Sequence, residues 1–216
     1  ELFSSGKVYV QDPSARLAAM AAGAEPGMRV LDCCAAPGGK SFAAAIAMQN
    51  EGSVTSCDIH AHKVSLIEKG AARLGVSIVH ARQADASQFE PEFEAGFDVV
   101  IADVPCSGLG VIRKKPDIRY KDLAPMQKLP QVQAAILENV SRYVKPGGVM
   151  VYSTCTVLKR ENENVANAFL ARHPEFRLEV FALPAGLDAQ TDGMLTLYPH
   201  LHEADGFFIC KLRKNV

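Results

Sequence analysis

Between Leu31 and Lys40 an apolar run gives way to Asp32-Cys33-Cys34-Ala35-Ala36-Pro37-Gly38-Gly39-Lys40, and an alanine-rich helical pattern begins at Ser41. Met28 to Leu31 reads as a buried strand and Ser41 to Met48 as a helix, so Ala35 to Gly39 must turn the backbone between them. Such a turn leaves free N–H groups at a helix N-terminus beside the carboxyl end of a strand, which is where open α/β sheets bind ligands. Gly38 and Gly39 lack side chains, so a ligand can approach the backbone closely. This is not a dinucleotide fingerprint, because there is no G-x-G-x-x-G, and the P-loop pattern G-x-x-x-x-G-K-S/T is incomplete.

The rest of the chain repeats this strand-turn-helix plan. Ser53 to Cys57 reads as a strand closed by Asp58, and Val64, Leu66, Ile67, Ala71 and Leu74 mark a helix that stops at Gly75. Val76 to His80 reads as a third strand with Asp85 just beyond it, and Phe97 to Ala102 as a fourth ending at Asp103. Helices over Val132 to Tyr143 and Glu161 to His173 flank a fifth strand, Val149 to Tyr152; Phe176 to Phe181 and Phe207 to Leu212 complete the set. Alternation of this kind implies parallel pairing with right-handed crossovers, hence an α/β fold with a mostly parallel sheet of about seven strands. At 216 residues and 48% hydrophobic composition, one full core is expected. Residues 1–25 read as an extension and a helix leading into that core, which occupies 26–216.

A formal net charge of −1 means that any nucleic-acid surface must be local. The six cysteines have no C-x-x-C spacing, which argues for reduced thiols in a cytoplasmic protein rather than disulfides or zinc. His60, His62 and His80 lack ligand spacing, so no metal is expected, and no apolar stretch reaches the roughly 20 residues that span a membrane.

Asp32, Asp58, Asp85 and Asp103 each close or follow a strand, so they should gather along one rim of the sheet. Asp58 lies 58 − 38 = 20 residues after Gly38, the separation expected of an acid that accepts hydrogen bonds from ribose hydroxyls. Asp85 is then placed to accept from an adenine amino group. Without a phosphate-binding pattern, the nucleoside is better carried by a sulfonium than by a pyrophosphate, which points to S-adenosylmethionine.

Cys33, Cys57 and Cys210 fall in apolar runs and read as core residues. Cys106, in Pro105-Cys106-Ser107-Gly108, and Cys155, in Ser153-Thr154-Cys155-Thr156, lie just past neighbouring strands, on the same rim as the methyl donor. A thiolate there suggests addition to C6 of a pyrimidine, which makes C5 nucleophilic enough to accept a methyl group. Lys40, Lys159 or Arg160 could favour the thiolate, and Asp103 could hydrogen-bond N3 or the exocyclic amine of the base. The residues alone do not rank the two cysteines. Between them, Val104 to Leu129 is too long and irregular for a simple connection, and it carries Arg113, Lys114, Lys115, Arg119 and Lys121 with Tyr120 among them. Placed beside the cleft, that cluster reads as a phosphate-contacting RNA surface.

Together these residues resemble the RNA cytosine-C5 methyltransferases of the NOL1/NOP2/Sun family. The likeness rests on Val10 to Ala15, the Asp32 to Lys40 run, Asp58, Asp85, Asp103 to Gly108, the Val111 to Tyr120 loop, Ser153 to Thr156 and His202 to Phe208. It implies a Rossmann-like class I S-adenosylmethionine-dependent methyltransferase acting on C5 of a cytosine in RNA. The expected substrate is 16S rRNA, with tRNA or another rRNA as the alternative. It further implies that Cys155 is the nucleophile, that Cys106 assists release or acts as a base, and that Asp103 is catalytic. Cys34, Ala35, Ala36, Pro37, Gly38, Gly39, Lys40, Asp58, Asp85 and Asp103 are the implied cofactor-binding residues. Val104 stands where the family more often has alanine, and a packing adjustment is expected. In bacterial relatives a helical NusB-like RNA-binding domain precedes this core; none is expected here, and the chain is expected to act as a monomer. Two other readings stay open: a methyltransferase of DNA or a small molecule, and an RNA-binding or assembly module without activity.

Overall fold

The computed structural model describes residues 1–187, 189 and 191–216. In chain order the elements are α1 (Pro13–Ala22), β1 (Arg29–Asp32), α2 (Gly39–Ala47), β2 (Ser53–Asp58), α3 (Ala61–Leu74), β3 (Val79–Gln83) and β4 (Phe97–Asp103). They continue with α4 (Leu129–Val140), β5 (Val144–Thr154), α5 (Glu163–Arg172), β6 (Phe176–Leu178), β7 (Met194–Leu197), α6 (Pro199–His202) and β8 (Phe207–Lys214). The strands form one sheet in the order β3-β2-β1-β4-β5-β8-β6, with β7 also paired to β8. The first five run parallel and β8 returns antiparallel to β5.

Alternation along the central strands divides the core between the two faces of the sheet. Val30, Val99, Ile101, Val149 and Val151 pack with α1, α2 and α3 through Leu17, Phe42 and Ile67. Leu31, Val100, Ala102, Met150 and Tyr152 face α4 and α5 through Leu137 and Phe169. Strands buried on both faces in this way read as continuous apolar runs, which is why the sequence marks them clearly.

Several boundaries differ from the sequence expectation, each for a local reason. The third strand begins at Val79 rather than Val76, because Gly75 adopts a left-handed φ of +68° as the α3 cap and Val76 and Ile78 bury themselves in the turn. The fifth strand starts at Val144, five residues early, and its ladder with β4 shifts register between Phe97 and Val99 as it absorbs Pro146-Gly147-Gly148. Phe176 to Phe181 supplies only the short β6, and a further strand, β7, forms at Met194–Leu197 where the pattern predicts none. Lastly, α5 begins at Glu163 rather than Glu161, leaving Asn162 at φ −111°, ψ −105°, outside helical geometry.

Candidate active site

The carboxyl ends of β1, β2 and β4 bring Asp32, Asp58 and Asp103 to one rim, with Asp85 two residues past β3. Backbone hydrogen bonds fix the turn after β1: Ala35 N–H donates to Cys57 O at 2.7 Å and Gly38 N–H to Ala35 O at 2.7 Å. Gly38 sits at φ +109°, where a side chain would be strained and its Cβ would meet the buried Phe42 ring at 2.4 Å. No side chain caps α2. Its first N–H groups therefore face the rim without intrahelical partners, beside a stretch (Cys34 to Gly39) that presents mostly backbone.

The four aspartates play unlike parts. Asp58 is 7% exposed and accepts through Oδ1 from His60 N–H at 3.0 Å. Asp85 accepts through Oδ1 from Ser87 N–H and Oγ, at 2.9 and 2.7 Å. Asp32 is turned inward: Ser41 Oγ donates to its Oδ2 at 2.7 Å, Ser56 Oγ reaches Ser41 Oγ at 2.8 Å, and burial pushes the Asp32 carboxyl up to about 6. Asp103 accepts from Ser153 Oγ at 2.7 Å and pairs with Lys40 Nζ at 2.6 Å. Burial pulls the Lys40 ammonium down, but the charge and hydrogen bond of Asp103, with the charge of Asp32, together outweigh it and leave the group above the ordinary lysine value. Lys40 thus leaves the turn after β1 to join Asp103, with its ammonium 5.3 Å from the centre of the Phe207 ring.

Beyond that ion pair lie the two thiols, Cys106 Sγ and Cys155 Sγ, only 3.2 Å apart. The shared hydrogen bond lowers the Cys155 thiol from its ordinary value; burial and Asp103 oppose the shift, while Lys40 adds to it. The same bond and burial raise Cys106. Lys159 and Arg160 are exposed on the turn past Thr156 and take no part, so Lys40 alone of the three suggested cations acts on Cys155. Cys33, Cys57 and Cys210 are buried, as expected. Val104 is buried too, its N–H bonded to Ser153 O at 3.1 Å.

The segment after β4 forms three short helical turns, Leu109–Arg113, Pro116–Tyr120 and Ala124–Lys128, of which the first two lie beside these thiols. It roofs a cavity of about 810 Å³ lined by both cysteines and by Lys114, Lys115, Tyr120 and Lys121. Lys114 ties the roof down by pairing with Asp12 at 2.7 Å and Asp205 at 2.8 Å. Lys121 Nζ donates to Ser107 O at 3.1 Å. Arg113 and Arg119 do not line the cavity; the Arg119 guanidinium lies 4.7 Å from the centre of the exposed Tyr120 ring. The basic run therefore divides into roof anchors and outward charges, a division its spacing does not reveal. Behind the thiols lie the buried polar residues Ser107, Gln133, Glu161 and Asn162, which no local pattern signals: nothing in a helix-like Glu-Asn-Glu-Asn run marks two of its members as inward-facing.

Among the described residues, no cluster of His, Cys, Asp or Glu is arranged to hold a metal ion, and no helix is long and apolar enough to cross a membrane. Comparison with known proteins adds four findings. The family model for 16S rRNA methyltransferase RsmB/F matches residues 19–213. The probable ribosomal RNA small subunit methyltransferase B of Bacillus subtilis (strain 168) is 45% identical over 99% of this chain and 49% of its own. The F methyltransferase of Cronobacter sakazakii is 35% identical over 98% and 45%. Among solved structures, NSun6 from Pyrococcus horikoshii with SFG superposes with a TM-score of 0.87 at 30% identity, covering 99% of this chain and 55% of that one. The chain spans about half the length of the curated relatives it matches. The match over most of its residues, together with the sheet order, shows that the chain belongs to the 16S rRNA methyltransferase RsmB/F family.

Proposed function

We propose that this protein methylates C5 of a cytosine in RNA, 16S rRNA foremost, using S-adenosylmethionine and a covalent cysteine–C6 adduct. The observation that carries the reading is the pair of thiols 3.2 Å apart on the wall of a cavity large enough for a base, beside the Lys40–Asp103 ion pair. The rim fits the cofactor: an uncapped helix N-terminus behind Gly38 and Gly39, with Asp58 and Asp85 at the neighbouring strand ends. When bound, S-adenosylmethionine supplies an electrophilic methyl group. The turn from Cys34 to Gly39 would hold its amino-acid end, Asp58 the ribose hydroxyls and Asp85 the adenine amino group.

Cys155 is the nucleophile, because it stands in the Ser153-Thr154-Cys155-Thr156 context whose cysteine attacks the base in the family the sequence resembles, and the charge of Lys40 favours its thiolate. Its sulfur bonds to C6, the C5=C6 electron pair moves to C5, and C5 becomes the methyl acceptor. Asp103, already oriented by Lys40 and Ser153, is suited to accept a hydrogen bond from the exocyclic amine of the base and so to hold the ring against the thiols. Transfer of the C5 proton to Cys106 or to water then restores the double bond and expels the Cys155 thiolate. Cys106, 3.2 Å from that sulfur, assists this release. A target base must be unpaired or flipped to enter the cavity, and Lys115, Arg113 and Arg119 are the cations placed to hold the flanking phosphates. Six free thiols fit a reducing cytoplasmic setting, and residues 26–216 form the catalytic domain, with α1 packed on it.

The test uses labelled S-adenosylmethionine with unmodified 16S rRNA and tRNA as separate substrates. Cys155→Ala should transfer no methyl group and form no adduct, whereas Cys106→Ala should accumulate an RNA adduct that survives denaturing electrophoresis. Full activity in Cys155→Ala would make Cys106 the nucleophile. Cofactor binding without methylation of either RNA would favour a binding or assembly role.

A further inference from the structure

Both thiol-bearing turns are held from behind by two consecutive residues. Asn162, fully buried, accepts through Oδ1 from Thr154 Oγ1 at 2.5 Å and donates through Nδ2 to Thr156 O at 3.0 Å, gripping Cys155 on either side. Glu161, also fully buried, accepts through Oε2 from Ser107 N–H at 2.8 Å and from Gln133 Nε2 at 3.1 Å. The same Gln133 nitrogen donates to Pro105 O at 2.9 Å, so the residues on both sides of Cys106 are held as well. Ser107 Oγ donates to Thr156 Oγ1 at 2.8 Å, joining the two turns directly, and Tyr152 Oη donates to the Glu161 carbonyl.

This arrangement is costly. A carboxylate at zero exposure sits with its other oxygen, Oε1, unpartnered among the described residues, and Gln133 Oε1 is in the same state. To face inward, Glu161 and Asn162 leave the helix that their sequence favours, and Asn162 takes non-helical dihedrals. Such a group does little for stability that an apolar side chain could not do; what it supplies is a fixed geometry.

We propose that Glu161 and Asn162 are positioning residues, a two-residue clamp that sets the separation of the Cys106 and Cys155 thiols, Glu161 holding the first turn and Asn162 the second. The inference rests on the reading of the two cysteines as a working pair. It assigns the two halves of the clamp to different steps: Asn162 to attack by Cys155, Glu161 to release assisted by Cys106.

Thiol separation can be measured without RNA or methyl donor. Treatment with diamide, which takes up two hydrogens as the two thiols become one disulfide, reports how readily Cys106 and Cys155 meet, read by peptide mass after alkylation. Relative to the parent, Glu161→Ala and Asn162→Ala should cross-link roughly tenfold more slowly, since a displacement of about 1 Å is enough to cost large factors in rate. Glu161→Gln, whose carbonyl can still accept from Ser107, should return to within about twofold of the parent. With RNA, Glu161→Ala should accumulate adduct and Asn162→Ala should form it slowly. Parent-like cross-linking in the alanine variants overturns the proposal, as does a Glu161→Gln protein as slow as Glu161→Ala. Where an alanine variant does not fold, Thr154→Val, which keeps the side-chain shape and removes one bond to Asn162, decides the matter by the same criterion. Methylation lost with parent-like cross-linking would count against the proposed reaction and not for the clamp.

Discussion

The turn after β1 and the segment after β4 leave the same rim of the sheet, yet they are held by different means. The first is short, its shape set by backbone hydrogen bonds to Cys57 and Ala35 and by a glycine at φ +109°. The second runs from Val104 to Lys128 and is held by groups remote in sequence: Asp12 and Asp205 on Lys114, and the backbones of Gly206 and Cys155 on Gly110. The contrast teaches that the proposed cofactor side of the rim is shaped by its own backbone and the adjacent strand, while the proposed base side is assembled from distant parts of the chain. The two should therefore fail independently.

The largest effect expected is at Gly110. Its N–H donates to Cys155 O at 2.9 Å and its carbonyl accepts from Gly206 N–H at 2.8 Å. A Cβ there would lie 1.8 Å from Gly206 O and 2.8 Å from Cys155 O, so Gly110→Ala must push the roof off the thiols. Methyl transfer should fall about 100-fold or more while cofactor affinity, measured by calorimetry, holds. Gly38→Ala should do the reverse, abolishing cofactor binding while the two thiols still cross-link at the parent rate. Loss of both properties in either variant would dissolve the distinction.

A smaller effect joins the two regions at Lys40, which starts on the turn and ends beside the thiols. Removing its charge in Lys40→Met also leaves Asp103 unpaired, and both changes raise the Cys155 thiol. Alkylation of Cys155 by iodoacetamide at neutral pH should slow roughly three- to tenfold, and its pH profile should move upward. An unmoved profile would confine Lys40 to the cofactor side.

The smallest concerns the roof anchor. Burial raises the Asp12 carboxyl, but Lys114 and Ser14 outweigh it and hold the group down at about 2. A carboxylate depressed in the folded state stabilises it fully above the unfolded value of about 4 and loses that contribution as pH falls through the folded one. Because Lys114 is half exposed, Lys114→Met should cost no more than about 1 kcal/mol of global stability. Faster amide exchange across 104–129 should be its main signature, and in the parent the same change should develop between about pH 4 and pH 2.

What could be read in advance follows this division. The doubly covered strands, the Asp32 to Lys40 turn and the strand-end acids are legible because each is written in neighbouring residues through apolar runs, glycines and spacing. The five basic residues after Cys106 could be seen as a group, yet Lys114 is an internal anchor and only the tertiary partners Asp12 and Asp205 say so. Asp32 looks like its fellow rim acids, and only its tertiary partner, the Ser41 hydroxyl on α2, separates it from them. Glu161 and Asn162 read as a first helical turn because helix propensity is a local quantity, whereas their hydrogen bonds are to Ser107, Thr154 and Thr156.

By itself the sequence determined the alternation of strands and helices, hence the sheet and the rim on which four acids and two cysteines collect, because hydrophobic period and chain connectivity leave little freedom there. Tertiary structure decided the 3.2 Å approach of Cys106 and Cys155, the diversion of Lys40 to Asp103, and which cations bind the roof rather than face outward. Those depend on angstrom-scale distances between residues dozens of positions apart. Such distances are set by packing and by the pairing of buried charge, and no local pattern encodes them.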